Sequence, residues 1–453
     1  MSGASARETD VTVLLLELNE INFDYVLAYS RKGSLPTLAR LVERHGLVET
    51  ESEQRYEELE PWIQWVTAHT GKTLAEHGVF RLGDIVDHPE LEQIWEALEQ
   101  QGLKVGAMSP MNADNRCADP AFFIPDPWTR TRLSGPAMMR RLYDPVAQAV
   151  NDNAAGRLSP STIAKLVAGI ATYARPANYR RYLGLAAGAA RKAPWSKAMF
   201  LDLLLADLFI KGMAAKRPDF ASLFLNAGAH IQHHYMFNSS VYDGPHANPG
   251  WYVSPDVDPV LEVYSLYDRI VAQVIGAFPQ ARVMIATGLH QDPHPDLTFY
   301  WRLRDHEAFL RDLGASFARV EARMSRDFVV YCREAAEAAS LEARLAAVLS
   351  DDGAPLFEVD NRGDSLFVTL SWPHDIPDDF EHRVDGAARR GLRKDVAFVA
   401  VKNGGHNGTG YFIDTGISAA QAGARFPLKT LPDRIAAALG AQSLATLLRP
   451  AAE

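Results

Sequence analysis

Apolar positions along the chain fall into two alternating patterns. From Val11 to Leu16 the residues are apolar apart from Thr12, with no period-two alternation, which predicts a strand covered on both faces. The next segment places Leu38, Leu41 and Val42 at helical spacing behind Pro36 and stops at Gly46, a helix with its stop signal. PWIQWVTAHTG predicts a buried helix, Leu91–Gln101 another, and Lys104–Met108 a second strand. ASLFLNAG, VLEVYSLYDRIVAQVIGAF and ARVMIAT then read as strand, helix and strand, a βαβ unit.

Between these stretches the composition shifts. Residues from about Leu133 to Lys216 are rich in Ala, Leu, Arg and Tyr with few strand-like runs, which predicts three or four helices inserted into the α/β pattern as a cap. From Arg326 to Leu370, DFVVYC, LEARLAAVL, APLFEVD and DSLFVTL, with a turn at Asn361 and Gly363, predict a small α+β satellite. YFIDTG is expected to close the main sheet before a terminal helix from Leu431. The expected parts are core at 11–132, helical cap at 133–217, core again at 218–325, satellite at 326–395, and core completion with a C-terminal helix at 396–453. The fold class is α/β.

Composition removes several alternatives. With 453 residues, 47% hydrophobic and 23% charged, the chain has the makeup of a large folded protein. Its net charge of -10 argues against a nucleic-acid partner held by phosphate contacts. Cys117 and Cys332, in no metal-spacing pair, fit a reducing compartment, so the cytoplasm is expected. The polar decapeptide MSGASARETD and the short run VTVLLL suit neither a signal sequence nor a bilayer span, and Asp202 and Asp207 interrupt the apolar stretch Ala198–Met213, so no stable membrane insertion is expected.

Histidine carries the chemical signal. Of 14 in the chain, six (His230, His233, His234, His246, His290, His294) lie between positions 230 and 294. His230 and His233/His234 follow one strand, and His290 and His294 follow the next, in a stretch that Pro293 and Pro295 predict to be a loop. Open α/β sheets place their sites at strand carboxyl ends. The first strand adds Glu17 and Asn19 to that edge, and the segment NGGHNGTG adds His406. Imidazole with carboxylate suits a borderline divalent metal, zinc first, with manganese or iron as alternatives. Singly, each residue has an ordinary explanation: a histidine that is a satisfied polar group, an Asn19 in a turn, a Trp62/Trp65 stripe in the core.

The order of LLLEL, GSLPTLARLVERHG, TGKTLAEHGVF, HIQHH, Tyr267-Asp268-Arg269 and GGHNGTGYFIDTG resembles the alkaline phosphatase superfamily, especially its type I phosphodiesterase and nucleotide pyrophosphatase branch. The likeness spans roughly residues 11–110 and 218–416. It implies a mixed sheet between helices with cap insertions, and a two-metal site acting on phosphate esters or related anions. On that resemblance Glu17 stands at a metal-binding Asp, His233 at the His of an Asp-x-x-x-His pair whose Asp position is Ala229, and His406 at the last ligand His. IATGLHQ replaces an Asp-His pair, with His290 as the nearest substitute, and LEPWIQW holds no hydroxyl where the nucleophile is expected.

Polar groups gathered in the same loops (His230, His234, His290, His294, Gln64, Glu60, His69) point to a rebuilt site using a metal-bound water. The expected function is a metal-dependent hydrolase or transferase acting on a small anionic substrate such as a phosphate ester. Glu17, Asn19, His233, His406 and His290 are the candidate metal ligands, and His230, His290 and Glu60 the candidate catalytic groups. Two alternatives stand beside it: a catalytically silent binding or assembly protein, and a redox enzyme holding iron by two histidines and a carboxylate.

Overall fold

The computed structural model describes residues 11–151, 160–191, 193–323 and 326–444. The N-terminal decapeptide, residues 152–159 and 192 of the cap, and the end of the expected C-terminal part lie outside the described residues. Among these residues the contacts divide the chain into two compact units. The first holds the segments up to Asp243, Asp256–Asp292 and from Gly405 onward; the second holds Gly244–Pro255 and Pro293–Gly404.

The first unit is built on a mixed sheet of eight described strands. Their order is Arg425–Pro427, Val48–Glu51, Thr409–Asp414, Arg282–Ala286, Val13–Leu18, Phe220–Leu225, Val105–Met108 and Phe122–Ile124. Val13–Leu18 lies at the centre, parallel to both neighbours, with Leu18 opposite Leu225 and Glu17 opposite Ala286. All six of its residues are buried, as the unbroken apolar run requires. Thr409–Asp414 runs antiparallel to the strands on either side. Its amino end therefore lies at the edge where its neighbours have their carboxyl ends. Rather than closing the sheet, it is an interior strand, and Arg425–Pro427 takes the edge.

Helices cover the sheet. Phe23–Arg31 is capped by the Asn22 side chain, which accepts from the Tyr25 amide at 3.0 Å. Pro61–Thr70 begins on its proline and ends at Gly71 in the left-handed region, and its Trp65, Ala68 and neighbouring residues pack with Trp95, Phe224 and Phe412 in one apolar cluster. The segment expected to be a cap contains the helices Ala137–Asn151, Pro160–Tyr173, Tyr179–Ala190 and Ser196–Lys216. In the last of these Asp202 and Asp207 are buried with partners: Asp207 accepts from Asn178 and Tyr182, and Asp202 from Tyr267 at 2.6 Å. A helix apolar on all sides is thus an internal one. Among the described residues no helix is long and apolar enough to cross a membrane.

The second unit contains an antiparallel sheet ordered Phe357–Asn361, Ser365–Leu370, Asp327–Tyr331 and Arg319–Ala322, and a smaller one of Val348–Ser350, Glu381–Val384 and Ala387–Arg390. It takes in more than the expected satellite, beginning at Pro293. The stretch read as a loop around Pro293 and Pro295 is instead the start of a strand, His290–Leu303, paired among the described residues only with Val396–Asn407. A two-stranded ribbon leaves an outer edge on each strand, so a proline there costs no ladder bond.

Candidate metal centre

Three strand ends converge at the carboxyl edge of the main sheet. Glu20 lies two residues beyond Val13–Leu18, His233 stands in the helix Ala227–Tyr235 that follows Phe220–Leu225, and His406 precedes the antiparallel strand Thr409–Asp414. The Glu20 Oε2 atom is 3.2 Å from His233 Nε2 and 3.1 Å from His406 Nε2. The two imidazole rings meet edge to face, 5.0 Å between centroids. One ligand atom from each residue lies within 4.8 Å of the others, and among the described residues this is the grouping of three or more such side chains that suits a metal ion.

Glu20 is held from every side. Its backbone adopts a φ of 60°, a conformation that costs a non-glycine residue energy and persists only when surroundings impose it. Here the Glu20 amide donates to the Thr287 carbonyl at 3.1 Å, and its own carbonyl accepts from Gln232 Nε2 at 2.7 Å. Oε1 accepts from Asn19 Nδ2 at 3.0 Å, while Gln291 donates to Oε2. The side chain is 2% exposed. Burial pushes its carboxyl upward, but the His406 and His233 imidazoles outweigh this and hold it well below the usual carboxylate range. A buried anion facing two imidazoles is a donor set that fits one borderline divalent cation.

The remaining sequence candidates are distributed around this trio. Glu17 points into the apolar layer on one face of the sheet, where its Oε1 meets His69 Nε2 at 2.9 Å; the carboxylate beside the imidazoles is Glu20, three residues later. Asn19 turns its amide to Glu20 and Asn226. Both ring nitrogens of His290 are engaged within the protein, Nδ1 with the Thr409 carbonyl at 2.5 Å and Nε2 with Asp292 at 3.1 Å, and its ring rests against Tyr411. It is thus absent from the trio and braces Asp292, to which Asn407 donates at 2.7 Å. Its hydrogen bond, ahead of opposing burial, holds the Asp292 carboxyl below its ordinary value.

Glu60, the residue before the helix Pro61–Thr70, places Oε2 4.0 Å from His406 Nδ1 and remains a third exposed. His230 lies at the surface with its ring against His234 at 4.8 Å. Gln64 bonds to the backbone of Glu58 and Glu53 and braces the loop before Glu60. His246 and His294 belong to the second unit, with His246 Nε2 at 2.7 Å from the Pro295 carbonyl and His294 Nδ1 at 2.8 Å from the Asp296 carbonyl.

Glu20 is what the sequence reading missed. Glu17 ends an unbroken apolar run, whereas Glu20 follows the turn residue Asn19 and reads as a surface acid. The strand runs on to Leu18, two residues past the apolar run, so position 17 lies within the sheet and only residues past Leu18 lie at its edge.

Fold and site together define a mixed α/β protein with a carboxylate–imidazole cluster at strand carboxyl ends. No protein-family model matches the chain, and no curated protein matches it. Among solved structures it is similar to phosphonoacetate hydrolase from Sinorhizobium meliloti 1021 in complex with phosphonoacetate, at 14% identity and a TM-score of 0.42, covering 95% of this chain and 96% of that one. It is also similar to murine ectonucleotide pyrophosphatase/phosphodiesterase 5, at 11% identity and a TM-score of 0.42 over 95% of this chain and 96% of that one. An inactive form of the murine protein in complex with AMP aligns at 12% identity with a TM-score of 0.43 over 96% of each chain.

Proposed function

We propose that the protein is a metal-dependent hydrolase acting on a phosphate ester or related small anion, with one divalent cation held by Glu20, His233 and His406. The observation that carries this reading is the approach of one anionic oxygen and two imidazole nitrogens at a strand-end edge. Such an ion supplies Lewis acidity, which polarises a phosphoryl oxygen and lowers the pKa of a ligated water. It also explains why no hydroxyl residue need stand in LEPWIQW.

The protein's own groups have distinct parts. Glu20 supplies the fixed charge that offsets the cation. Glu60, partly exposed with Oε2 4.0 Å from His406 Nδ1, is the group that would exchange a proton with solvent or substrate. His290 keeps Asp292 and Asn407 fixed next to His406. Zinc heads the candidate metals because of the mixed nitrogen and oxygen donors.

The test is a comparison of zinc-, manganese- and iron-loaded protein on p-nitrophenyl phosphate and its diester, alongside Glu20→Gln. Metal-dependent release of nitrophenol by the wild type, lost in the variant, supports the reading; stoichiometric metal with no turnover on any anionic ester removes it. A second reading is favoured by the same donor set, since two histidines and a carboxylate with open positions also serve non-haem iron. Iron-specific oxygen consumption would establish that alternative.

A further inference from the structure

The Asn19 side chain is surrounded by three bonds whose directions are mutually fixed. Trp65 Nε1 donates to its Oδ1 at 2.7 Å, and its Nδ2 donates to Glu20 Oε1 at 3.0 Å and to Asn226 Oδ1 at 2.8 Å. Asn19 is 1% exposed and Trp65 fully buried. An indole N–H can only donate, so it selects the amide oxygen and leaves the amide nitrogen for Glu20. Without that selection an amide can turn over and present its oxygen to the carboxylate.

Trp65 is itself locked. Its ring stacks on His69 and meets Phe224 edge-on at 5.6 Å. On a further side lies Gly288, where an added Cβ would come within 3.1 Å of the indole. Asn226, the other acceptor, immediately precedes the helix that carries His233. The amide thus joins the helix Pro61–Thr70, the Glu20 carboxylate and the start of the His233 helix.

We propose that Asn19 is a positioning residue that holds the Glu20 carboxylate turned so that one oxygen faces His233 and His406, with the Trp65 indole N–H setting the orientation of the Asn19 amide. This rests on the reading that Glu20, His233 and His406 hold an ion. Both ends of the Asn19 amide are taken up by Trp65, Glu20 and Asn226. It acts by keeping Oε1 occupied, so that Oε2 stays directed at the imidazoles without a search over carboxylate rotations on binding. Groups that orient a metal ligand in this way typically affect affinity by about 10–100-fold when removed.

The experiment is a zinc-affinity cycle on the full chain: wild type, Asn19→Ala, Trp65→Phe and the double variant, titrated against a chromophoric chelator. Circular dichroism and thermal melting of the zinc-free proteins accompany each titration. Asn19→Ala is expected to weaken zinc about 10–100-fold. Trp65→Phe, which keeps an aromatic ring but loses the donor and part of the indole's volume, should weaken it less. In the Asn19→Ala background Trp65→Phe should add almost nothing, because its effect passes through Asn19.

A purely structural role would lower melting temperature while leaving affinity in place, and unchanged affinity in both single variants overturns the proposal. Independent, additive losses overturn the part assigned to Trp65. Should Asn19→Ala fail to fold, Trp65→Phe decides the matter on its own, with unchanged affinity against it and a several-fold loss for it. Metal uptake by the wild type separates this test from that of the site itself: a wild type that takes up none of zinc, manganese and iron removes the metal reading and this proposal together. A wild type that binds while its variants bind equally well removes this proposal alone.

Discussion

Glu17 and His69 form a closed pair, Oε1 to Nε2 at 2.9 Å, with the two side chains 0% and 1% exposed in the apolar layer beside Trp65 and Trp95. The second carboxylate oxygen of Glu17 and Nδ1 of His69 have no hydrogen-bond partner. The pair pins the helix Pro61–Thr70 to the central strand four residues from the point where Trp65 reaches Asn19. A buried pair of this kind is a packing device whose cost of desolvation is high.

Glu17→Gln is therefore expected to leave zinc affinity within about threefold of wild type while lowering unfolding free energy by about 1–3 kcal/mol. Chelator competition and urea unfolding measure the two quantities separately. Loss of the bound ion in this variant would return Glu17 to the ligand set.

Glu20→Gln should do the reverse. The amide keeps the shape but removes the negative charge that faces two imidazoles at 3.1 and 3.2 Å. Zinc affinity should fall about 100-fold or more, beyond the range expected for groups that only orient ligands. Elemental analysis of the wild type should give one ion per chain, in keeping with a single cluster of suitable side chains among the described residues. Two ions per chain would mean that further donors take part.

Much of this architecture is legible in the sequence, and the reasons are local. The unbroken apolar run before Glu17 and the strand-like ASLFLNAG become the two central parallel strands, because burial on both faces leaves no period-two signal. His233 is visible because several imidazoles gather just after the strand-like ASLFLNAG, and His406 because it stands in the glycine-rich segment just before YFIDTG. Long-range geometry is not written locally. The placement of His406 at the correct edge depends on Thr409–Asp414 running antiparallel, and His290 is taken up by Thr409 and Asp292 through pairings that only the fold supplies. The strand through Pro293 escapes a local reading for the same reason, since proline is excluded from sheet interiors but not from ribbon edges.

Gly288 offers a test of packing behind the site. Its φ is 74°, and a methyl group there would stand 3.1 Å from the Trp65 ring. Gly288→Ala combines left-handed backbone strain with displacement of the indole, a cost of about 1–3 kcal/mol in denaturant unfolding. Tryptophan fluorescence should shift with it. Unaltered stability would show that the loop after Arg282–Ala286 yields more readily than its contacts suggest.

The last prediction concerns Asp202, which has no part in the metal cluster but seats the helix that carries His233. Its Oδ2 accepts from the Ala227 amide at 2.8 Å and from the Tyr267 hydroxyl at 2.6 Å, while Tyr267 in turn accepts from the Gly228 amide. Burial pushes the carboxyl up to about 6, and the bonds from Tyr267 and the backbone only partly oppose it. The unfolded chain protonates an aspartate near 3.9. Between these two values the folded state binds the extra proton, so this residue's contribution to stability is fully present below the unfolded pKa and is lost as pH rises through about 6. Asp202→Asn keeps an oxygen acceptor for both donors and removes the titration. The stability of wild type relative to this variant should therefore rise by about 2 kcal/mol between pH 7.5 and pH 4.5, the opposite sign to that of a salt-bridged carboxylate. Urea unfolding of both proteins across that range measures the difference directly, and cancels other groups that titrate alike in the two. A flat difference would show that Asp202 keeps an ordinary carboxylate pKa despite its burial.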